Sequence, residues 1–153
     1  MAEVKRTYYK SGELDSECFE INGKKNGEQK SYRLKGQLWE ICTYIDGKKN
    51  GEEKSFWENG QLSSICIYTN DMLNGEEKIY YENLSSANFP GQLQNICSYI
   101  DGKKNGEGKR YYKNGQLSRI RMYIDGKKNG ELKEYDEYGN LIEQSIWKDD
   151  IKQ

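Results

Sequence analysis

Histidine is absent from all 153 residues, and that absence removes more chemistry than any motif in the chain supplies. Without an imidazole there is no Ser-His or Cys-His nucleophile pair, no histidine-ligated metal and no ordinary general base near neutral pH. Proline occurs once, at Pro90, and apolar residues nowhere recur at helical spacing, so helices have little support. No run approaches the roughly 18 apolar residues of a membrane span. The N-terminal Met-Ala-Glu-Val-Lys-Arg leads into Thr7, Tyr8 and Tyr9 without the apolar core of a signal peptide, which predicts a soluble, cytoplasmic protein. Neither sign of charge prevails: 24 basic against 25 acidic residues give a net charge of -1. No global field therefore recruits nucleic acid, and no specific nucleic-acid partner is expected.

Apolar residues are also scarce. They make up 34% of the chain against 32% charged, with a mean hydropathy of -1.10. Such a balance ordinarily leaves a chain disordered, because too little surface can be buried to offset the entropy of ordering. What opposes disorder is 13 Tyr, 3 Trp and 3 Phe set at regular intervals. They predict an ordered but thin structure held by aromatic columns and backbone pairing.

The glycines carry the organisation. A Gly-x-Leu turn recurs at Gly12, Gly36, Gly60, Gly91, Gly115 and Gly139, spaced 24, 24, 31, 24 and 24 residues apart. Gly27, Gly51, Gly75, Gly106 and Gly130 repeat the pattern, and Gly23, Gly47, Gly102 and Gly126 do so with one miss, at Asp71. Fifteen of the 16 glycines fall in these columns, leaving Gly108 outside. Periods of this length mark repeat arrays. The reading is a single domain over 1–153, in units of approximately 3–26, 27–50, 51–74, 75–105 with an insertion at 84–90, 106–129 and 130–149.

Within a unit, Glu52 to Trp57 ends in β-favouring aromatics and is followed by Glu58-Asn59-Gly60, and Asn-Gly between such segments is a strong hairpin signal. Leu62 to Tyr68 returns, and a looser connection such as Asp46-Gly47-Lys48-Lys49-Asn50-Gly51 leads onward. The expected fold is all-β: an elongated single-layer antiparallel β-meander of six 24-residue hairpin repeats, with about twelve strands. Which residues face together depends on hairpin register. A two-residue loop would oppose Trp57 and Leu62, whereas the preferred three-residue loop at Glu58, Asn59 and Gly60 sets Phe56 opposite Leu62. Strict alternation then adds Cys66 and Tyr68 to the same face. That face gathers Tyr8, Tyr32, Phe56, Tyr80, Tyr111 and Tyr135 with the leucines from Leu14 to Leu141 and the Tyr44 column. Ile41, Ile65, Ile96 and Ile120, with Trp57, Tyr81 and Tyr112, are expected opposite.

Written out, the units read Gly-Glu-x-Lys-x-aromatic-aromatic-x-Asn-Gly-Gln-Leu and then Tyr-Ile-Asp-Gly-Lys-Lys-Asn. Over residues 3 to 149 this resembles MORN repeats of the second variant type, the type found in bacterial YwqK-like antitoxin components. The eukaryotic MORN segment Tyr-x-Gly-x-Trp does not occur, so the lipid-binding and junctional roles of that group are not implied. The resemblance implies an elongated single-layer antiparallel sheet, a non-catalytic role and, from the family name, a toxin partner.

No enzyme is expected, nor any cofactor or metal. The carboxylates Glu28, Glu52, Glu76, Glu107 and Glu131 stand in a column beside Lys30, Lys54, Lys78, Lys109 and Lys133, as repeated cross-strand pairs would. Cys18, Cys42, Cys66 and Cys97 are one column as well. Equivalent residues two strands apart lie roughly 9.5 Å from one another, too far for a disulfide. Arg121 and Ser145 fill the same column in the last units.

Two sets of candidate binding residues remain. For a protein partner they are the insertion residues Leu84, Phe89 and Pro90 and the aromatic column Tyr32, Phe56, Tyr80, Tyr111 and Tyr135, since a single layer leaves one face uncovered. For an anionic membrane surface they are the dilysines Lys24, Lys25, Lys48, Lys49, Lys103, Lys104, Lys127 and Lys128, expected on loops along one edge and interrupted at Met72-Leu73. Unpaired terminal strands add end-to-end self-association as an expectation.

Overall fold

The computed structural model describes residues 1–83 and 91–153. Among them, strands β1 (Ala2–Tyr8), β2 (Leu14–Ile21), β3 (Lys24–Tyr32), β4 (Leu38–Ile45), β5 (Lys48–Phe56) and β6 (Leu62–Thr69) follow one another across a single antiparallel sheet. β7 (Met72–Leu73) and β8 (Gly75–Tyr80) both pair with β6. The sheet continues through β9 (Leu93–Ile100), β10 (Lys103–Tyr111), β11 (Leu117–Ile124), β12 (Lys127–Tyr135), β13 (Leu141–Lys148) and β14 (Ile151–Lys152). This is the all-β meander of repeated hairpins that the glycine spacing predicts, with short β7 and β14 added.

Two kinds of turn alternate. At one edge Trp57 donates its N–H to the Gln61 carbonyl at 2.8 Å and Gly60 donates to the Trp57 carbonyl at 3.0 Å, with Gly60 at φ 81. This is the expected three-residue loop closed by a left-handed glycine. At the other edge the connection is tighter than expected. Asp46 (φ 50) and Gly47 (φ 83) form a two-residue turn with both positions left-handed, which matches the twist of the flanking strands. Lys48-Lys49-Asn50-Gly51 is therefore the start of β5 rather than part of a loop.

Register decides which residues share a face. Phe56 does lie opposite Leu62, but Ser55 then pairs with Ser64, so Ser63 is an extra residue on the returning strand. The same shift recurs after Tyr8, Tyr32, Tyr80, Tyr111 and Tyr135. A bulge of this kind inverts the alternation beyond it. One face, the cysteine face, carries Ser64, Cys66 and Tyr68 with their partners Ser55, Glu53 and Gly51. The other, the isoleucine face, carries Phe56 and Leu62 together with Lys54 and Ile65. The expectation that the Tyr-Leu columns join Cys66 and Tyr68, with Ile65 opposite, is corrected by the bulge.

The covered side is the cysteine face. Cys18, Cys42, Cys66, Cys97 and Leu132 are buried there, with Gln29, Ser31 and Ser145. Two ladders tie successive hairpins along its edges. Tyr9, Tyr81 and Tyr112 donate their hydroxyls to the carbonyls of Tyr32, Tyr111 and Tyr135, and Arg33 reaches Phe56 in the same way. At the opposite edge the turn N–H of Gly47 donates to the Lys25 carbonyl, and Gly126 does the same to Lys104.

Candidate binding faces

On the isoleucine face the last turn of each returning strand leaves apolar side chains in solvent. Phe19, Ile67, Met122 and Ile146 form one column and Ile21, Ile45, Ile100 and Ile124 the next, all between 37% and 54% exposed. Ile21, Ile45, Ile100 and Ile124 are register partners of Lys24, Lys48, Lys103 and Lys127, so these lysines share their face. All four lysines are exposed, and they form no ion pair among the described residues. Asp46, Asp101 and Asp125 in the adjacent turns weaken their field.

The apolar rows are interleaved with neutralised charge, since Glu52, Glu107 and Glu131 are the register partners of Ile67, Met122 and Ile146. Lys30 meets Glu28 at 3.2 Å, Lys54 meets Glu52 at 2.5 Å, Lys78 meets Glu76 at 3.0 Å, Lys109 meets Glu107 at 2.6 Å and Lys133 meets Glu131 at 2.8 Å. These pairs run along one strand, two residues apart, and not across strands as the columns suggest. A cross-strand lysine instead faces an isoleucine, as Lys54 faces both Ile41 and Ile65. Being exposed, such pairs add little stability. Among the described residues they leave Lys24, Lys48, Lys103, Lys127 and, on the last hairpin, Lys148 without an ion pair on this face.

The dilysines do not act as one rim. Successive strand residues point to opposite faces, and the second lysine of each pair lies on the cysteine face over the aromatic ring of the next strand. The ammonium-to-centroid distances are 4.8 Å for Lys25 over Tyr44, 5.1 Å for Lys49 over Tyr68, 5.4 Å for Lys104 over Tyr123 and 4.3 Å for Lys128 over Trp147. Only Lys24, Lys48, Lys103 and Lys127 of the eight stay available as a basic edge.

Lys49 is held further by Glu53, its partner four residues on. Burial opposes its charge, but the Glu53 hydrogen bond and carboxylate outweigh burial and raise its pKa. Beside it burial, and next the Cys42 and Glu53 groups respectively, push the Tyr44 and Tyr68 hydroxyls up to about 12. Burial likewise pushes the Cys42 and Cys66 thiols up to about 12. The four cysteines are free and buried, and thiols held in the neutral form are poor nucleophiles.

The aromatic column of the sequence analysis lies on the isoleucine face, each ring opposite a leucine: Tyr32 with Leu38, Phe56 with Leu62, Tyr80 with Leu93, Tyr111 with Leu117, Tyr135 with Leu141. These rings are half-buried. Leu84, Phe89 and Pro90 lie outside the described residues. Sequence reasoning missed the exposed band of Ile45, Ile67, Ile100, Met122, Ile124 and Ile146. Its signal was the apolar recurrence at the ends of the returning strands, which reads equally well as core.

The hairpin is also the unit that a known family shares. The family model described as the MORN repeat variant matches residues 25–46, 49–70, 104–125 and 128–149, together more than half of the chain. The chain belongs to the MORN repeat variant family. Each MORN match opens on a stacked lysine, Lys25, Lys49, Lys104 or Lys128, and spans one hairpin into the next turn. At the same position the hairpins outside the matches have Met1 and Leu73. MORN repeats are generally associated with protein or membrane interaction, and the family is a non-catalytic repeat scaffold. A comparison with curated proteins finds no match.

Proposed function

We propose that the chain is a scaffold that binds another protein on its isoleucine face. The observation that carries this reading is the asymmetry between faces. Buried strand residues gather on the cysteine face, while Phe19, Ile21, Ile45, Ile67, Ile100, Met122, Ile124 and Ile146 sit in solvent on the other. Repeated exposed apolar side chains, here interleaved with charged ones on the neighbouring strands, suit an interaction surface. The repeat pattern's resemblance to YwqK-like antitoxin components makes a toxin the partner to try first. Co-expression with a toxin encoded beside the gene tests this. Rescue of growth by the native chain, lost in Ile45→Asp/Ile100→Asp/Ile124→Asp, supports the reading; equal rescue by that variant refutes face binding.

A second reading has its own observation. Lys24, Lys48, Lys103 and Lys127 stand beside exposed isoleucines on one edge, an arrangement that suits an anionic membrane surface. Flotation with phosphatidylserine vesicles at low salt distinguishes the two. Recovery with the vesicles, lost on changing the four lysines to glutamine, favours the membrane; no recovery removes it.

A further inference from the structure

Two residues stand outside the repeat columns, and the fold brings them together. Gly108 is the glycine that fits no column, Arg121 replaces the cysteine of its unit, and the two are direct register partners. The next pair along the same face is Arg110 opposite Arg119. At the equivalent place other hairpins set Ser31 opposite Glu40, Ser55 opposite Ser64, Ile79 opposite Asn95 and Glu134 opposite Glu143. No other described hairpin opposes two cations there, and like charges directly opposite destabilise a sheet.

Gly108 also makes room. Its position is held by Gln29, Glu53, Glu77 and Leu132 in other hairpins, and its bare backbone opens a cavity of about 200 Å³. Glu77, Lys104, Arg110, Arg119, Arg121 and Tyr123 line it. A Cβ on Gly108 would come within 3.1 Å of the Tyr123 ring and 3.4 Å of the Cys97 Sγ, so the space depends on the glycine.

We propose that this cavity binds the phosphoryl group of a small phosphomonoester. Arg119 is engaged by Glu134 at 2.6 Å, and Glu77 accepts the Tyr99 hydroxyl at 2.9 Å. Arg121 Nε is buried with no hydrogen-bond partner among the described residues. Four cations against these two carboxylates leave an excess of positive charge that suits a dianion. Guanidinium forks match phosphate oxygens in geometry as well as charge. Donors come from two strands, Lys104 and Arg110 on β10 and Arg119 and Arg121 on β11, which fits a tetrahedral group better than a flat carboxylate. Glu77 remains as an acceptor for a hydroxyl of the esterified alcohol.

Calorimetric titration at low salt with glycerol 3-phosphate, inorganic phosphate and acetate tests the site. Both phosphates bind and acetate does not. Glycerol 3-phosphate binding the tighter marks an ester site, and inorganic phosphate binding alone overturns the phosphomonoester assignment. The variant Gly108→Gln/Arg121→Cys restores the Gln29 and Cys42 pairing of the β3–β4 hairpin, keeps the native melting profile and lowers affinity by about tenfold or more. Arg121→Gln, which leaves Gly108 in place, weakens binding similarly, while Lys24→Gln/Lys48→Gln changes nothing. Equal affinity for acetate, undiminished binding by a folded Arg121→Gln, or no heat at about 10 mM phosphate contradicts the proposal.

Discussion

Replacing Leu132 and Ile146 in turn by alanine weighs the two faces on neighbouring strands. Leu132 is 2% exposed on the cysteine face, between Arg121 and Ser145. Ile146 is 50% exposed on the isoleucine face of the next strand. Each substitution removes three carbons. At about 0.8 kcal/mol per buried methylene, Leu132→Ala forfeits roughly 2.5 kcal/mol before any cavity term, and buried Leu→Ala changes span about 2–5 kcal/mol. Half of the Ile146 side chain is already in water, so Ile146→Ala costs about 1 kcal/mol. Urea unfolding gives the two differences. Hydrogen exchange on β12 and β13 localises them, because stability in a repeat array is set by each unit and its neighbours. If Ile146→Ala costs as much as Leu132→Ala, the assignment of faces from the recurrent bulge is wrong.

Four further outcomes follow from the same geometry. Burial raises the Cys42 and Cys66 thiols from 9.0 to about 12, so folding favours their protonated form. Their contribution is complete below pH 9 and is lost as pH rises toward 12, at about 1.4 kcal/mol per pH unit per thiol. Urea midpoints from pH 8 to 11 should fall accordingly, and a flat profile contradicts the burial. In native buffer at pH 8 a thiol reagent should label none of the four buried cysteines until denaturant is added; prompt labelling would disprove their enclosure. Lys49→Met removes the ion-pair partner of the Glu53 carboxylate, whose side chain is 12% exposed, and should cost about 1–3 kcal/mol. Lys128→Met loses only a contact with Trp147 and should cost under about 1 kcal/mol; equal losses in thermal melts would refute the distinction. Gly47→Ala meets nothing nearer than Lys24 at 3.8 Å, so backbone strain at φ 83 costs about 1 kcal/mol. Gly75→Ala adds a 3.2 Å contact with Ile67 and should lower the melting temperature further.

The fold was legible because its signals are local and repeated. Gly60 closes a loop of the predicted length, and Phe56 meets Leu62 as the loop requires. The faces were not legible past Ser63. A one-residue bulge leaves no mark in a run such as Leu62-Ser63-Ser64, yet it moves Cys66 and Tyr68 to the opposite side. The same difficulty affected the lysines. Asp46-Gly47 closes a turn by itself, which commits Lys48 and Lys49 to a strand and to different faces. Glu52 and Lys54 were read across strands because their columns run that way, but a two-residue offset along one strand yields the same columns. Gly108 and Arg121 were visible as exceptions, and only the register joined them.

The most direct test of the isoleucine face as the docking surface is quantitative affinity capture from the native host. The native chain is compared with Ile45→Asp/Ile100→Asp/Ile124→Asp after circular dichroism has shown that both are folded. A specific partner retained by the native chain and lost from the variant is the predicted result. The same partner captured in equal amount by both would contradict the assignment of function to that face.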